Sequence, residues 1–155
     1  MPILEKAKVF GKTVFLRADL DVPLSENGGQ MTDDRTQRME DRKIEDDTRL
    51  RAGLPTIEYL LKHGAKVIIA GHLGRPQPNS ESRIKNHELS LRPVAEWLIK
   101  RFHNSLFIPH DSKRGEFDGW EITPKLFLLE NLRFYEGEEN PSKSSGLEFA
   151  RKLAS

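Results

Sequence analysis

Cysteine is absent from this chain. No disulfide and no zinc–thiolate centre is available, so the fold must stand on its core alone. That usage fits a cytosolic protein. Long apolar runs are missing as well: none reaches the ~18 residues of a spanning helix. The opening MPILEKAKVF holds no apolar stretch of signal-peptide length. There is no excess charge of one sign either. Lys and Arg total 25 against 24 Asp and Glu, a formal +1. That balance supplies no case for bulk attraction to nucleic acid or membrane, so any basic site must be local. Several motifs are also missing. There is no G-x-G-x-x-G and no G-x-S-x-G elbow, and the histidines at 63, 72, 87, 103 and 110 lack metal-ligand spacing. Gly11-Lys12-Thr13 looks like the tail of a P-loop, but Lys6 stands where that motif needs glycine, and the segment precedes a strand.

What is present centres on Lys66–Pro76, KVIIAGHLGRP. Val67, Ile68, Ile69 and Ala70 form an unbroken apolar run, the mark of a strand buried on both faces. It stops at a turn carrying His72 and Arg75. Ligands of open α/β sheets bind outside the carboxyl ends of the strands. This stretch therefore reads as a buried strand delivering an imidazole and a guanidinium to an anion.

At 155 residues the chain is about one domain. Thr13–Ala18 reads as a first strand, ending at Asp19-Leu20-Asp21. A charged segment without apolar periodicity runs over Thr32–Arg49. The spacing of Leu54, Ile57, Leu60 and Leu61 predicts a helix over Leu54–His63, with Gly64 as its terminating glycine. Ser90 is placed to cap a second helix, with Pro93 in its first turn and Val94, Ala95, Leu98, Ile99 and Phe102 as its buried stripe. Leu106–Pro109 reads as a strand, Asp111–Thr123 stays ambiguous, and Lys125–Leu129 is a further strand running into Glu130-Asn131-Leu132-Arg133. Leu147–Ala154 starts a last helix. Strands alternating with helices predict an α/β parallel sheet.

Parallel strands run the same way, so polar residues at their ends converge on one rim. Those residues are Asp19 and Asp21 after the first strand, His72 and Arg75 after the second, and Asn131 and Arg133 after the last. Arg49 lies just before the helix that leads into the second strand. Arginine suits phosphate or carboxylate through its planar fork. Each residue also has a plainer reading. Arg17 and Arg49 can pair with acidic neighbours on a solvated face, and His72 can be a satisfied loop histidine. Asp19 and Asp21 point opposite ways on an extended chain unless the backbone turns between them. Ile57, Leu60, Leu98 and Trp97 are core or flank by default.

In order and spacing, VFLRADLDVPL (14–24), DDTRLRAGLPTIEYLLKHGAKVIIAGHLGRP (46–76), SLRPVAEWL (90–98), LFLLENLRF (126–134) and FARKLAS (149–155) strongly resemble the phosphoglycerate kinase family. The resemblance implies a Rossmann-like parallel sheet with helices on both faces, as an incomplete N-terminal domain of a two-domain kinase. Residues 1–155 would be part of its phosphoglycerate-binding domain, with the nucleotide-binding C-terminal domain absent. The implied reaction moves a phosphoryl group between 1,3-bisphosphoglycerate with ADP and 3-phosphoglycerate with ATP, a step of glycolysis. The implied substrate site is Asp19, Asp21, Arg49, His72, Leu73, Gly74, Arg75 and Arg133. His72, Arg75 and Arg133 would grip the phosphate that stays on the substrate, and Arg49, the catalytic residue, would face the phosphoryl in flight. The implied cofactor is Mg-ATP/ADP in the complete enzyme, with no cofactor or metal held by this fragment. No nucleic acid or membrane partner, a monomeric complete enzyme and a cytoplasmic location are implied too.

The chain departs from the family pattern in three places. Asp21 stands where the family usually has Asn, and a carboxylate 4 Å from an anion costs about 1 kcal/mol in water and up to ~4 with partial burial. Pairing of Asp21 with Arg49 or Arg133 is expected to offset this. The loop Gly28–Arg42 is expanded, leaving Arg35 and Arg38 as rivals to Arg49, whose register Leu54-Pro55-Thr56-Ile57 anchors. Finally the sequence stops at Ser155, before the family's next strand, so the fragment is expected to be inactive alone. With no neighbour, Thr13–Ala18 would be an exposed apolar edge, and the fragment poorly soluble or marginally stable. The alternatives are a non-catalytic anion-binding α/β module, or an unrelated α/β domain with a merely solvated surface.

Overall fold

A computed structural model describes residues 8–25, 42–75, 89–103, 111–115, 117–135, 138, 148 and 151–152. Strand β1 (Thr13–Arg17) leads to helix α1 (Thr48–Lys62) and strand β2 (Lys66–Ala70). Helix α2 (Arg92–His103) follows, then β3 (Asp111–Arg114), β4 (Phe117–Thr123), β5 (Leu126–Leu129) and a 3-10 turn, Leu132–Phe134. The sheet order is β1-β2-β5-β4-β3. β1, β2 and β5 are parallel, in the registers Thr13↔Lys66 to Arg17↔Ala70 and Val67↔Leu126 to Ile69↔Leu128.

The unbroken apolar run forms the strand read from the sequence: Val67, Ile68, Ile69 and Ala70 are all buried. Alternate residues face opposite sides. Val67 and Ile69 join a core with Leu50, Ile57 and Leu60 of α1, Val94, Leu98 and Ile99 of α2, and Trp120, Ile122, Leu126 and Leu128. Ile68 and Ala70 join a smaller cluster with Phe117, Leu129 and Leu132. Both α1 and α2 thus lie on one face of the sheet. The chain steps one way, from β1 to β2 to β5, and right-handed crossovers in one direction lay their helices on the same side.

The sheet is also mixed. The ambiguous segment 111–123 is an antiparallel hairpin, with Arg114 paired to Phe117 across a two-residue connection opened by Gly115 at φ 61°. A positive φ there suits a tight hairpin. β4 also pairs antiparallel with β5. The strand read at Leu106–Pro109 lies outside the described residues. Of the last helix, Glu148, Arg151 and Lys152 are described and helical.

Helix α1 begins at Thr48, not Leu54. No apolar period announces its first turns; hydrogen bonds do. Asp46 Oδ1 accepts from the Thr48 N–H at 2.8 Å, and the Asp47 carbonyl accepts from the Arg51 N–H at 2.9 Å. Pro55 therefore sits inside the helix, on its exposed side. At the other end the Gly64 reading holds. Gly64 has φ 80°, its N–H donates to Leu61 O at 3.1 Å, and the Ala65 N–H donates to Leu60 O at 3.0 Å. These are the two bonds of a Schellman motif.

Gly53 is mid-helix, and a Cβ placed on it meets nothing within 4 Å. Gly53→Ala is expected to stabilise the chain by about 0.5–1 kcal/mol. Thermal melting would show this as a rise of roughly 1–4 °C.

The Asp47 carboxylate accepts from Arg51 Nε at 2.7 Å and from the Trp97 indole at 3.0 Å. The Arg51 bond, first, and then the Trp97 bond hold its pKa below the ordinary value; the Thr48 hydroxyl bond does the same for Asp46. Depressed carboxylate pKa values give stability above the unfolded value of about 3.9. That stability is lost as pH falls through the folded values. Acid titration of Trp97 fluorescence is expected to show a transition below pH ~4 that Asp47→Asn removes.

Strand β1 has a neighbour on one side only among the described residues. Its Phe15 side chain is 39% exposed.

Candidate anion-binding site

The carboxyl ends of β1, β2 and β5 lie side by side, so three chain exits share one rim. At the first exit the Ala18 N–H donates to Ala70 O at 2.9 Å, and then the backbone turns. The Asp21 N–H donates to Asp19 Oδ1 at 3.2 Å, and the Val22 N–H to Leu20 O at 2.9 Å. The second is an i→i+2 bond, a γ-turn. It overrides the alternation of an extended chain, so both carboxylates stay at the rim.

Asp19 takes Arg49: Nη1 lies 3.0 Å from Oδ2 and 3.1 Å from Oδ1. Arg49 thus sits at the rim from the first turn of α1. Both side chains are more than half exposed, and such a pair is worth at most ~1 kcal/mol. An incoming dianion can recruit Arg49 at little cost. Arg35 and Arg38 lie outside the described residues.

Asp21 does not pair with Arg49 or Arg133 as the sequence led us to expect. Its Oδ1 accepts from the Gly74 N–H at 2.9 Å. The turn aims Asp21 at the second exit, while Asp19 engages Arg49.

The second exit, Gly71–Arg75, passes close to the first. A Cβ on Gly71 would stand 2.7 Å from Ala18 O. Gly74 has φ 60°, a conformation that favours glycine. Leu73 is buried, His72 half-buried and Arg75 exposed. The structure gives neither His72 nor Arg75 a hydrogen-bond partner among the described residues.

The third exit locks onto the second. The Leu132 N–H donates to Gly71 O at 3.0 Å. Arg133 Nη1 donates to Gly74 O at 2.5 Å. Asn131 is fully buried; its Nδ2 donates to Leu73 O at 2.8 Å and Leu89 O at 2.9 Å, and its Oδ1 accepts from the Arg133 N–H at 3.1 Å. Glu130 reaches the start of α2. It accepts from the Leu91 N–H at 2.8 Å and the Ser90 hydroxyl at 2.7 Å. Ser90 Oγ in turn accepts from the Arg92 N–H at 3.2 Å, its expected capping role. The sequence shows Asn131 as cargo at a strand end, but no local signal shows its amide turning inward or Glu130 serving a helix 39 residues away.

Arg49, His72, Arg75 and Arg133 therefore share one rim, tied through Asp19, Asp21 and Gly74. Arg17 does not join them. It forms a forked pair with Glu138 at 2.6 and 3.3 Å, and that hydrogen bond raises its pKa. Beneath Arg49 lies a cavity of about 250 Å³ lined largely by apolar side chains, among them Leu50, Ile57, Ile69, Val94 and Trp97. A polyanion belongs at the rim, not inside it. Among the described residues no group of three or more His, Asp or Glu side chains is placed to hold a metal ion. None of the described helices is long and apolar enough to cross a membrane.

Parallel strands that bring arginines, a histidine and a left-handed glycine to one rim define an α/β domain with a candidate anion site at its carboxyl end. Comparison with known proteins narrows the class. The sequence model of the family described as "Phosphoglycerate kinase" matches residues 4–155, and the chain belongs to that family. It is 37% identical over 159 residues to the phosphoglycerate kinase of Prochlorococcus marinus (strain MIT 9301), covering 98% of this chain and 33% of the relative. With the cytosolic phosphoglycerate kinase of Nicotiana tabacum the identity is 40% over 155 residues, again 98% of this chain and 33% of the relative. The solved phosphoglycerate kinase of Coxiella burnetii superposes with a TM-score of 0.62 at 25% identity, over 96% of this chain and 32% of that one. The chain spans about a third of the length of the relatives it matches.

Proposed function

We propose that this chain is the phosphoglycerate-binding part of a phosphoglycerate kinase. The complete protein would catalyse reversible phosphoryl transfer between 1,3-bisphosphoglycerate with ADP and 3-phosphoglycerate with ATP, in the cytoplasm and as a monomer. The supporting observation is the single rim: Arg49 comes from α1 and is held by Asp19, His72 and Arg75 flank Gly74 on the β2 exit, and Arg133 from the β5 exit is held on Gly74 O. In this reading His72, Arg75 and Arg133 bind the phosphate that stays on the substrate, with the Leu73–Gly74 backbone shaping the floor. Asp19 orients Arg49, and Asp21 orients Gly74.

Phosphoryl transfer is chiefly positioning and neutralisation of charge on the transferring oxygens. Arg49 is the catalytic residue here, swinging from Asp19 to the acceptor carboxylate and the phosphoryl oxygens. An arginine so placed is worth ~10³ or more in rate. Mg-ATP, where the complete protein binds it, supplies the phosphoryl group. The residues of this rim bind and orient the acceptor, whose own carboxylate attacks, so no side-chain nucleophile is required.

Calorimetry with 3-phosphoglycerate tests the reading. A single site with Kd of roughly 1 μM–1 mM is expected, with glycerate and inorganic phosphate each binding more weakly. No heat with 3-phosphoglycerate, or equal heat with phosphate alone, would contradict it. The 155-residue chain by itself is expected to bind without consuming ATP in a coupled assay.

A further inference from the structure

We propose that Asp21 and Asn131 act together as positioning residues, clamping the Leu73–Gly74 peptide from its two ends and so fixing the geometry of the anion site. The inference rests on the phosphoglycerate-site reading above.

One peptide plane carries both contacts. Its carbonyl, from Leu73, accepts from Asn131 Nδ2 at 2.8 Å. Its N–H, from Gly74, donates to Asp21 Oδ1 at 2.9 Å. In a trans peptide these two groups point in opposite directions. Two side chains from two different strand exits therefore hold the same plane from opposite sides. Asp21 comes from the β1 exit and Asn131 from the β5 exit.

The clamp reaches Arg133 twice. Asn131 Oδ1 accepts from the Arg133 N–H at 3.1 Å, and the next carbonyl after the clamped peptide, Gly74 O, accepts from the Arg133 guanidinium at 2.5 Å. Rotation of the Leu73–Gly74 plane would move that carbonyl away from Arg133. It would also displace the turn that carries His72 and Arg75. Gly74, at φ 60°, is the joint that permits the turn, and the two side chains remove its freedom.

The chemistry of the two positions differs. Position 131 must supply two donors and one acceptor in a fully buried place. A carboxamide does this and a carboxylate does not. Position 21 must supply only an acceptor, so Asp and Asn both serve. The carboxylate at 21 is then a strut that keeps its hydrogen bond, at some cost to the affinity for an anion.

This gives opposite expectations for two variants that remove the same charge. Calorimetry with 3-phosphoglycerate on the 155-residue chain should find Asp21→Asn binding as tightly as the native chain or more tightly. Asp21→Ala should bind at least ten-fold more weakly, although its electrostatics favour the anion equally. Asn131→Ala should match that loss, and Asp21→Ala with Asn131→Ala should lose less than the product of the two. Ile122→Val, a core change on β4, should lower the melting temperature and leave affinity unchanged. Asp21→Ala binding as tightly as Asp21→Asn would overturn the clamp.

Amide hydrogen exchange provides the second readout. The Gly74 and Arg133 N–H groups should exchange at least ten-fold faster in Asp21→Ala and Asn131→Ala, but not in Asp21→Asn or Ile122→Val. If the native chain bound no 3-phosphoglycerate, the functional reading would fail and exchange alone would judge the clamp; unchanged exchange at Gly74 in both alanine variants would refute it.

Discussion

Arg133→Ala is expected to weaken 3-phosphoglycerate binding by about 30-fold or more while the chain stays folded. Truncating one partner of a partly buried, charge-assisted contact typically costs ~2–5 kcal/mol. Arg133 is half-buried, and its backbone and guanidinium are each anchored, the first through Asn131 and the second on Gly74 O. Its fork is therefore pre-set for an anion, and little side-chain entropy is lost on binding. Arg133→Lys keeps the charge but loses the fork, so an intermediate loss is expected. Arg17→Ala is the contrast. Its fork is spent on Glu138 at the surface, and its removal should change affinity less than about three-fold. Calorimetry at two salt concentrations checks all three variants. The Arg133 effect should shrink as salt screens the native site.

Gly119→Ala is expected to destabilise the whole chain by about 3 kcal/mol or more, through overpacking. A Cβ at this position would stand 2.2 Å from Leu128 O and 3.0 Å from Leu129 Cα. Both atoms are backbone of the neighbouring strand, so no rotamer change relieves the clash. β5 cannot retreat either, because β2 pairs on its far side. The glycine is needed because β4 closes tightly on β5, next to an irregular register between Glu121 and Thr123. Against a total stability of roughly 5–15 kcal/mol, the loss is a large fraction. The site should suffer too, since β5 runs directly into Asn131 and Arg133. Urea unfolding should show a lower midpoint with an unchanged slope. Gly53→Ala moves the other way, because a Cβ there meets only open space.

The parts of the fold visible in the sequence are those set by apolar pattern or by a single residue. Val67–Ala70 is apolar without interruption because both faces of β2 are covered. Gly64 ends α1 because the last turn needs a left-handed residue. The rim itself was legible, since parallel strands must expose their exits together. Contacts distant in sequence were not. Asp21 meets Gly74 across 53 residues, and Glu130 meets Leu91 across 39. No local pattern encodes either partner. The early start of α1 was hidden because Asp46 and Asp47 define it by hydrogen bonds, in a stretch with no apolar period. The 111–123 hairpin was hidden because short alternation broken by Gly115 and Gly119 satisfies no single template. That α1 and α2 share one face follows from the direction in which strands are added, which strand order alone reveals.

Cations delivered from the start of α1 and from two strand exits into one cradle for a small polyanion are the point on which the whole account turns. Two-dimensional amide NMR of the chain, titrated with 3-phosphoglycerate, addresses it most directly. Saturable shifts confined to residues 18–22, Arg49, 71–75 and 130–133 are the predicted result. Shifts spread over β3 and the far end of α2, or no shifts at millimolar ligand, would contradict it.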